Sequence, residues 1–331
     1  CRDNPSENHL ADPARLAEGA VSRKRLVAPR ARFSQSSDEN EATAYLLTLS
    51  SETLTEKTQR MICQQGNVPD GSPSSAPWSM RTTDRVICFS LEEAQLMIFR
   101  GGVALLTLEA RLQSEELHDW LDFIYHFRFF AGKADEGQDV SAPELNYQGA
   151  PMEGIKPLYD FLLQPLHPAT YEDLFMRNLT LPYSALYLED DFDAEKIRRL
   201  LYRIRLCFAN WHQLYPPAEE LRTEHPSMME YAENLWFTFA QQGAGFVAFN
   251  APGDANDFFR SDFPKRLRSR YFLLYSLALY QKFMLIRLSD RVSESWLQGN
   301  ESERIATFSK IRDALLEFTA RGYFSQVMQL E

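Results

Sequence analysis

The stretch AQLMIFRGGVALLTLEARL, residues 94–112, decides the fold. Two β-prone runs flank Gly101-Gly102, the pair that most easily supplies the positive φ angles of a two-residue turn, so residues 94–110 are predicted to form an antiparallel hairpin. Immediately beyond, Ser114 is positioned to cap a helix in which Leu117, Trp120, Leu121, Ile124 and Phe127 recur every three or four residues. A helix with such a stripe packs on a sheet.

Toward the C-terminus, a polar stretch from about 131 to 156 precedes prolines at 157, 165 and 168. Pro182 to Leu188 then reads as a strand, and Asp193 as the cap of a helix carrying Ile197, Leu200, Leu201, Ile204 and Phe208 on one face. Leu235 to Ala240 and Phe246 to Asn250 read as strands bracketing QQGAG. Residues 268–292 are apolar nearly all round, and Ile305, Phe308, Ile311, Leu315 and Phe318 form a stripe over 301–320. That stripe suits an antiparallel helix pair or a neighbouring subunit. Tyr271 to Ile286, interrupted by Gln281 and Lys282, would span roughly 24 Å as a helix, short of the roughly 30 Å hydrocarbon core. It is expected to be buried and not to cross a membrane.

Toward the N-terminus, Ala44 to Leu49 is expected as a strand and Thr53 to Cys63 as a short helix. Residues 1–40 and 66–84 concentrate Pro, Ser, Gly and charge, as surface segments do. The expected architecture is α+β: a mixed sheet flanked by helices in α/β/α layers, followed by long C-terminal helices. The expected division is a loosely packed segment at 1–84, a mixed-sheet domain at 85–260 and antiparallel helices at 261–331.

The net charge of −11 over 331 residues disfavours direct nucleic-acid binding, which needs Lys and Arg in excess on one face. Cys1, Cys63, Cys88 and Cys207 stand far apart, with no C-x-x-C pair, and read as reduced thiols. No apolar h-region opens the sequence, so no signal peptide is expected. Neither G-x-S-x-G, H-E-x-x-H nor a kinase signature occurs, and the chain is expected not to be an enzyme.

Four groups of residues could carry chemistry. His118, Asp122 and His126 line one side of a helix, but positions eight apart are separated by roughly 12 Å, so the row reads as a solvated face. Glu189, Asp190, Asp191 and Asp193 cluster between strand and helix, where carboxylates could hold magnesium or simply favour the helix N-terminus. Lys196, Arg198, Arg199, Arg203 and Arg205 share one helix, while Arg260, Lys265, Arg266, Arg268 and Arg270 precede the long one. Guanidinium groups near a helix start can bind anions in bidentate fashion, with solvated ion pairing as the alternative. The second group is the stronger candidate for a small anionic ligand. QQGAG lacks both the G-x-G-x-x-G fingerprint and the P-loop lysine, and reads first as a tight turn.

The hairpin followed by ELHDWLDFIYHFRFF (116–130) resembles the N-terminal domain of divergent CorA-like divalent-cation transport proteins. NLWFTFAQQGAGFVAFN (234–250), RSRYFLLYSLALYQKFMLIRLSDRV (268–292) and ARGYFSQV (320–327) resemble the later sheet and long helices of the same group. The resemblance covers roughly 85–130 and 230–328. It implies a ligand-sensing domain on the cytoplasmic face of the inner membrane, in a homo-oligomeric channel or transporter that is pentameric in the family. The ligand would be a divalent cation or, as in CorA-like effectors beside type III CRISPR systems, a nucleotide-type second messenger. The family's Gly-Met-Asn loop and two membrane helices do not occur in these residues, which places the membrane part outside this stretch. On this reading Arg260, Lys265, Arg266, Arg268, Gln241, Gly243 and Asn234 would hold the ligand, and Asp190, Asp191 and Asp193 magnesium. The alternative is a soluble protein-interaction module whose 301–320 stripe packs on a partner helix.

Overall fold

A computed structural model describes residues 22–26, 44–65, 78–82, 85–99, 101–129, 143–163, 179–189, 192–209, 216–219, 225–232, 234–241, 243–249, 258–297 and 301–321. Its elements run β1 (Ser22–Leu26), β2 (Ala44–Ser50), α1 (Ser51–Gln64), β3 (Trp78–Arg81), β4 (Val86–Phe99), β5 (Ala104–Leu112), α2 (Leu117–Phe127), β6 (Glu144–Tyr147), β7 (Ala150–Glu153) and α3 (Lys156–Leu163). They continue with β8 (Tyr183–Leu188), α4 (Ala194–Arg205), β9 (Met228–Ala232), β10 (Leu235–Ala240) and β11 (Gly243–Phe249). After the short helices α5 (Phe258–Ser261) and α6 (Phe263–Arg266), a π-helical turn (Leu267–Tyr271) leads into α7 (Phe272–Leu297), and α8 (Glu301–Arg321) follows. The chain is α+β, as its periodicities require.

The strands form two sheets where the sequence suggested one mixed sheet. The first is antiparallel and centred on β4, which is long enough to serve two partners along one edge: β3 at Val86–Phe89 and β2 at Glu93–Phe99. β5 takes the opposite edge, and β6 and β7 extend the sheet from β3. The second sheet has the order β8-β11-β10-β9, with β8 parallel to β11 and the rest antiparallel. Only this smaller sheet is mixed.

The β4–β5 hairpin is longer than the predicted 94–110, and its turn differs. Phe99 N donates to Val103 O at 2.9 Å and Gly102 N to Phe99 O at 3.0 Å, so the loop has three residues. Gly102 has φ +78, whereas Gly101 is absent from the positive-φ positions. A turn closed by one left-handed glycine is the common three-residue solution. Gly101 answers a different need, because a Cβ there would lie 2.6 Å from Met284 Sδ.

Ser114 does not cap α2. Its hydroxyl accepts from Glu116 N and donates to Asp119 Oδ2 at 2.6 Å, and the N-cap position falls to Glu116 with no side-chain cap bond. The helix lies between the two sheets. Phe123 and Phe127 pack edge-on to Phe89 of the first sheet, at 5.0 and 5.4 Å between centroids, while Leu121 joins Val247 of the second sheet and Leu200 and Leu201 of α4, which packs on it. Each such buried side chain contributes roughly 1.5–3 kcal/mol. A helix covered on two sides has no fully solvated face, which corrects the reading of the His118 row: Asp122 is only 4% exposed.

The expected boundary at 84/85 runs through the first sheet. Leu54, Met61, Ile62 and Trp78 sit in one core cluster with Phe89 and Tyr147, so α1 and β3 are built into it. Of the expected 261–331 unit, α7 and α8 are likewise joined to the hairpin. Tyr280 stacks on Phe99 at 4.4 Å with 14° between ring planes, and Ile311 and Phe318 of α8 bury against the same cluster. Ile305 and Leu315 of the predicted stripe remain exposed. Among the described residues, no helix is long and apolar enough to cross a membrane.

Candidate functional site

The basic run owes its shape to a helix laid across the second sheet. Phe263, Leu267 and Tyr271 recur every four residues and pack on Phe237 and Phe246, which leaves Lys265, Arg266, Arg268 and Arg270 on the outside. The π turn falls here. Tyr183 Oη donates to Leu267 O at 3.0 Å, adding a second donor to the carbonyl that accepts the π-turn bond from Phe272 N.

The four cations are not equivalent. Arg268 places Nε and Nη2 at 2.7 and 2.5 Å from Glu109 Oε1 on β5 and is thereby neutralised. Lys265 lies 3.6 Å from Asp262, and Arg266 lies over the Phe258 ring at 5.1 Å. Arg266 and Arg270 both act on the Tyr271 hydroxyl. Burial pushes this group up to about 12, with its hydrogen bond to Tyr231 adding to the rise and the two arginines opposing it. Arg260 is on α5, and its side chain lies outside the described residues.

The structure does not bring Asn234 together with Gln241 and Gly243. Asn234 precedes β10 and Gln241 follows it, so roughly 20 Å of strand separates them. The Asn234 end adjoins Phe249 and the C-terminal end of β8, and Gly243 lies against Pro182 at the opposite end. Gln241 lies just past β10, and Gly243, Ala244 and Gly245 open β11. Close approach requires both glycines: an added Cβ would lie 2.5 Å from Pro182 O at Gly243, and 2.4 Å from Ile204 Cγ2 at Gly245.

Of the acidic cluster, Asp190 and Asp191 lie outside the described residues. Asp193 is the N-cap of α4, accepting from Lys196 N at 2.7 Å, a bond that holds its carboxyl below the ordinary carboxylate range. Among the described residues, no group of three His, Cys, Asp or Glu side chains is placed to hold a metal. A magnesium site using Asp193 would have to compete with the cap.

Two features escape sequence reasoning. The first is a buried acid on α2 near a half-buried base on α4: Asp122 is 4% exposed, and its charge opposes the lowering that burial imposes on the pKa of Arg203. The second is an apolar rim on the second sheet, where Met229, Tyr231 and Phe239 stay 47%, 50% and 41% exposed beside the basic helix. Alternation in MMEYA shows that Met229 and Tyr231 share a face, but no local pattern tells whether a neighbour covers that face. Compared with known protein families, curated proteins and solved structures, the chain matches none.

Proposed function

We propose that the chain is the ligand-sensing domain of a CorA-like homo-oligomeric membrane assembly, and that an anion bound at the basic helix is its signal. One observation carries this reading: the segment bearing Lys265, Arg266 and Arg270 runs through the π turn directly into α7. Near its middle, α7 grips the hairpin, where Arg287 Nη1 donates to Gly101 O at 2.5 Å. An anion pulling on the basic turn would therefore act on an element that reaches the first sheet. Arg266 and Arg270 are the primary contacts, because Arg268 is committed to Glu109. The resemblance implies a nucleotide-type messenger or a divalent cation; the exposed guanidinium groups favour the anion.

Calorimetric titration with inorganic pyrophosphate tests the site. Wild type binds in a salt-dependent manner, and Arg266→Glu/Arg270→Glu weakens binding at least tenfold. Unchanged affinity removes the site. The membrane part of the reading requires two apolar runs of about 20 residues encoded beyond Glu331. A protein-interaction module is the second reading, favoured by the exposure of Leu285, Ile305 and Leu316 at 51%, 65% and 61%.

A further inference from the structure

We propose that the anion recognised at the basic helix is presented by a polypeptide: an extended acidic segment of a partner protein that docks along the outer edge of β9, with its carboxylates on Arg266 and Arg270. The inference rests on the reading above, whose anion it assigns to a chemical class.

The first observation is the edge. β9 is the last strand in the order β8-β11-β10-β9; among the described residues His225 bridges its first residue, where Met228 N donates to His225 O at 3.0 Å, and from Met229 onward its outer side has no neighbouring strand. Such an edge presents a row of backbone donors and acceptors that another extended chain satisfies by main-chain pairing. A phosphate, nucleotide or lipid headgroup cannot match that repeat.

The second observation is the composition of the face beside it. Met229 pairs with Phe237, and the Tyr231 ring lies 5.2 Å from Phe237 and 6.4 Å from Tyr271. Together with Phe239 these residues leave a row of large, half-exposed apolar side chains bordering the helix. The register shift between Leu235 and Trp236 places a bulge at Tyr231, a device that re-aims a side chain next to a site. Glu230 pairs with Trp236 and points to the other face, so β9 sets no carboxylate beside the arginines.

The third observation is charge. In a chain of net charge −11, exposed Arg266 and Arg270 make this border locally cationic. Two arginines are too few for a nucleic-acid track, but they suit two carboxylates on an extended peptide. In such a peptide, alternate residues share a face roughly 6.8 Å apart, so acidic and apolar residues on that face would meet the arginines and the Met229, Tyr231 and Phe239 rim respectively.

The experiment is fluorescence anisotropy on the full 331-residue chain with a labelled ten-residue peptide. On one face the peptide carries alternating Asp and Leu, and on the other Ser and Thr. Micromolar binding is expected, weakened at least tenfold by Arg266→Glu/Arg270→Glu and by Met229→Ser/Tyr231→Ser. N-methylating every second peptide amide in one register should abolish binding, and the other register should not. Equal binding of the two methylated peptides overturns the proposal, because strand pairing would then play no part. Tighter capture of a single-stranded oligonucleotide or of phosphatidylserine vesicles also overturns it. If pyrophosphate binds and the peptide does not, this inference fails while the anion-sensing reading stands. If neither binds, both fail.

Discussion

At the scale of single residues, the most demanding position is Gly245. Its missing Cβ lets α4 approach β11, with Ile204 Cγ2 and Thr238 Cγ2 occupying the space. Gly245→Ala should cost about 1–3 kcal/mol by overpacking, measured by urea denaturation. The loss should shrink in an Ile204→Ala background, and strict additivity of the two changes would contradict the contact. Asp119 makes a second prediction. Burial pushes its carboxyl up, but hydrogen bonds from Ser114 and from Arg85, at 2.6 and 2.9 Å, outweigh burial and leave it below the ordinary value of 3.8. The folded pKa is depressed, so this stabilisation is complete above 3.8 and fades as the pH falls through the folded value. Wild type should therefore be more stable than Asp119→Asn at neutral pH and should lose that advantage in acid. A difference unchanged down to the acid limb would count against the network. The Asp193 cap was legible because its signal is local; Asp122 was not, because its burial depends on which elements cover both sides of α2.

At the scale of elements, the hairpin and the β8–α4 unit could be read from the sequence because period and turn residues are near neighbours. The turn type could not. Whether Gly101 or Gly102 needs left-handed backbone depends on Met284, Tyr280 and Arg287, which approach the loop from more than 170 residues away. The α7 clamp on the loop carries its own expectation. Arg287→Met should lose a charge-assisted bond of about 1.5–3 kcal/mol and speed amide exchange at Val103 and Gly102 more than in β6. Uniform exchange across both regions would mean that the clamp is not local. Gln241 and Gly243 fail to meet Asn234 for an equally simple reason: residues at the two ends of one strand are close in sequence but separated by the strand's length.

At the scale of the whole molecule, two sheets share α2, and α7 and α8 are fastened to the tip of the first. The sequence could not reveal this partition, because β4 recruits β2 and β3 to the same edge from two separate stretches of chain. The exposed side chains of α8 bear on the proposed assembly. Ile305→Lys/Leu316→Lys should convert a self-associating wild type to a monomer in sedimentation equilibrium, with little loss of monomer stability. Persistence of the oligomer would place its interface elsewhere. The π turn at Leu267–Tyr271 also sets how the chain tolerates changes of length. A π turn holds one residue more than an α turn, so removing the exposed Ser269 would convert it to regular helix while α6 and α7 keep their angular phase. Removing Ala278 instead would rotate everything beyond it by about 100° and turn Tyr280, Met284 and Arg287 away from the hairpin. A codon lost at the π turn would be nearly silent, and the same loss nine residues later would unfasten α7 from the hairpin.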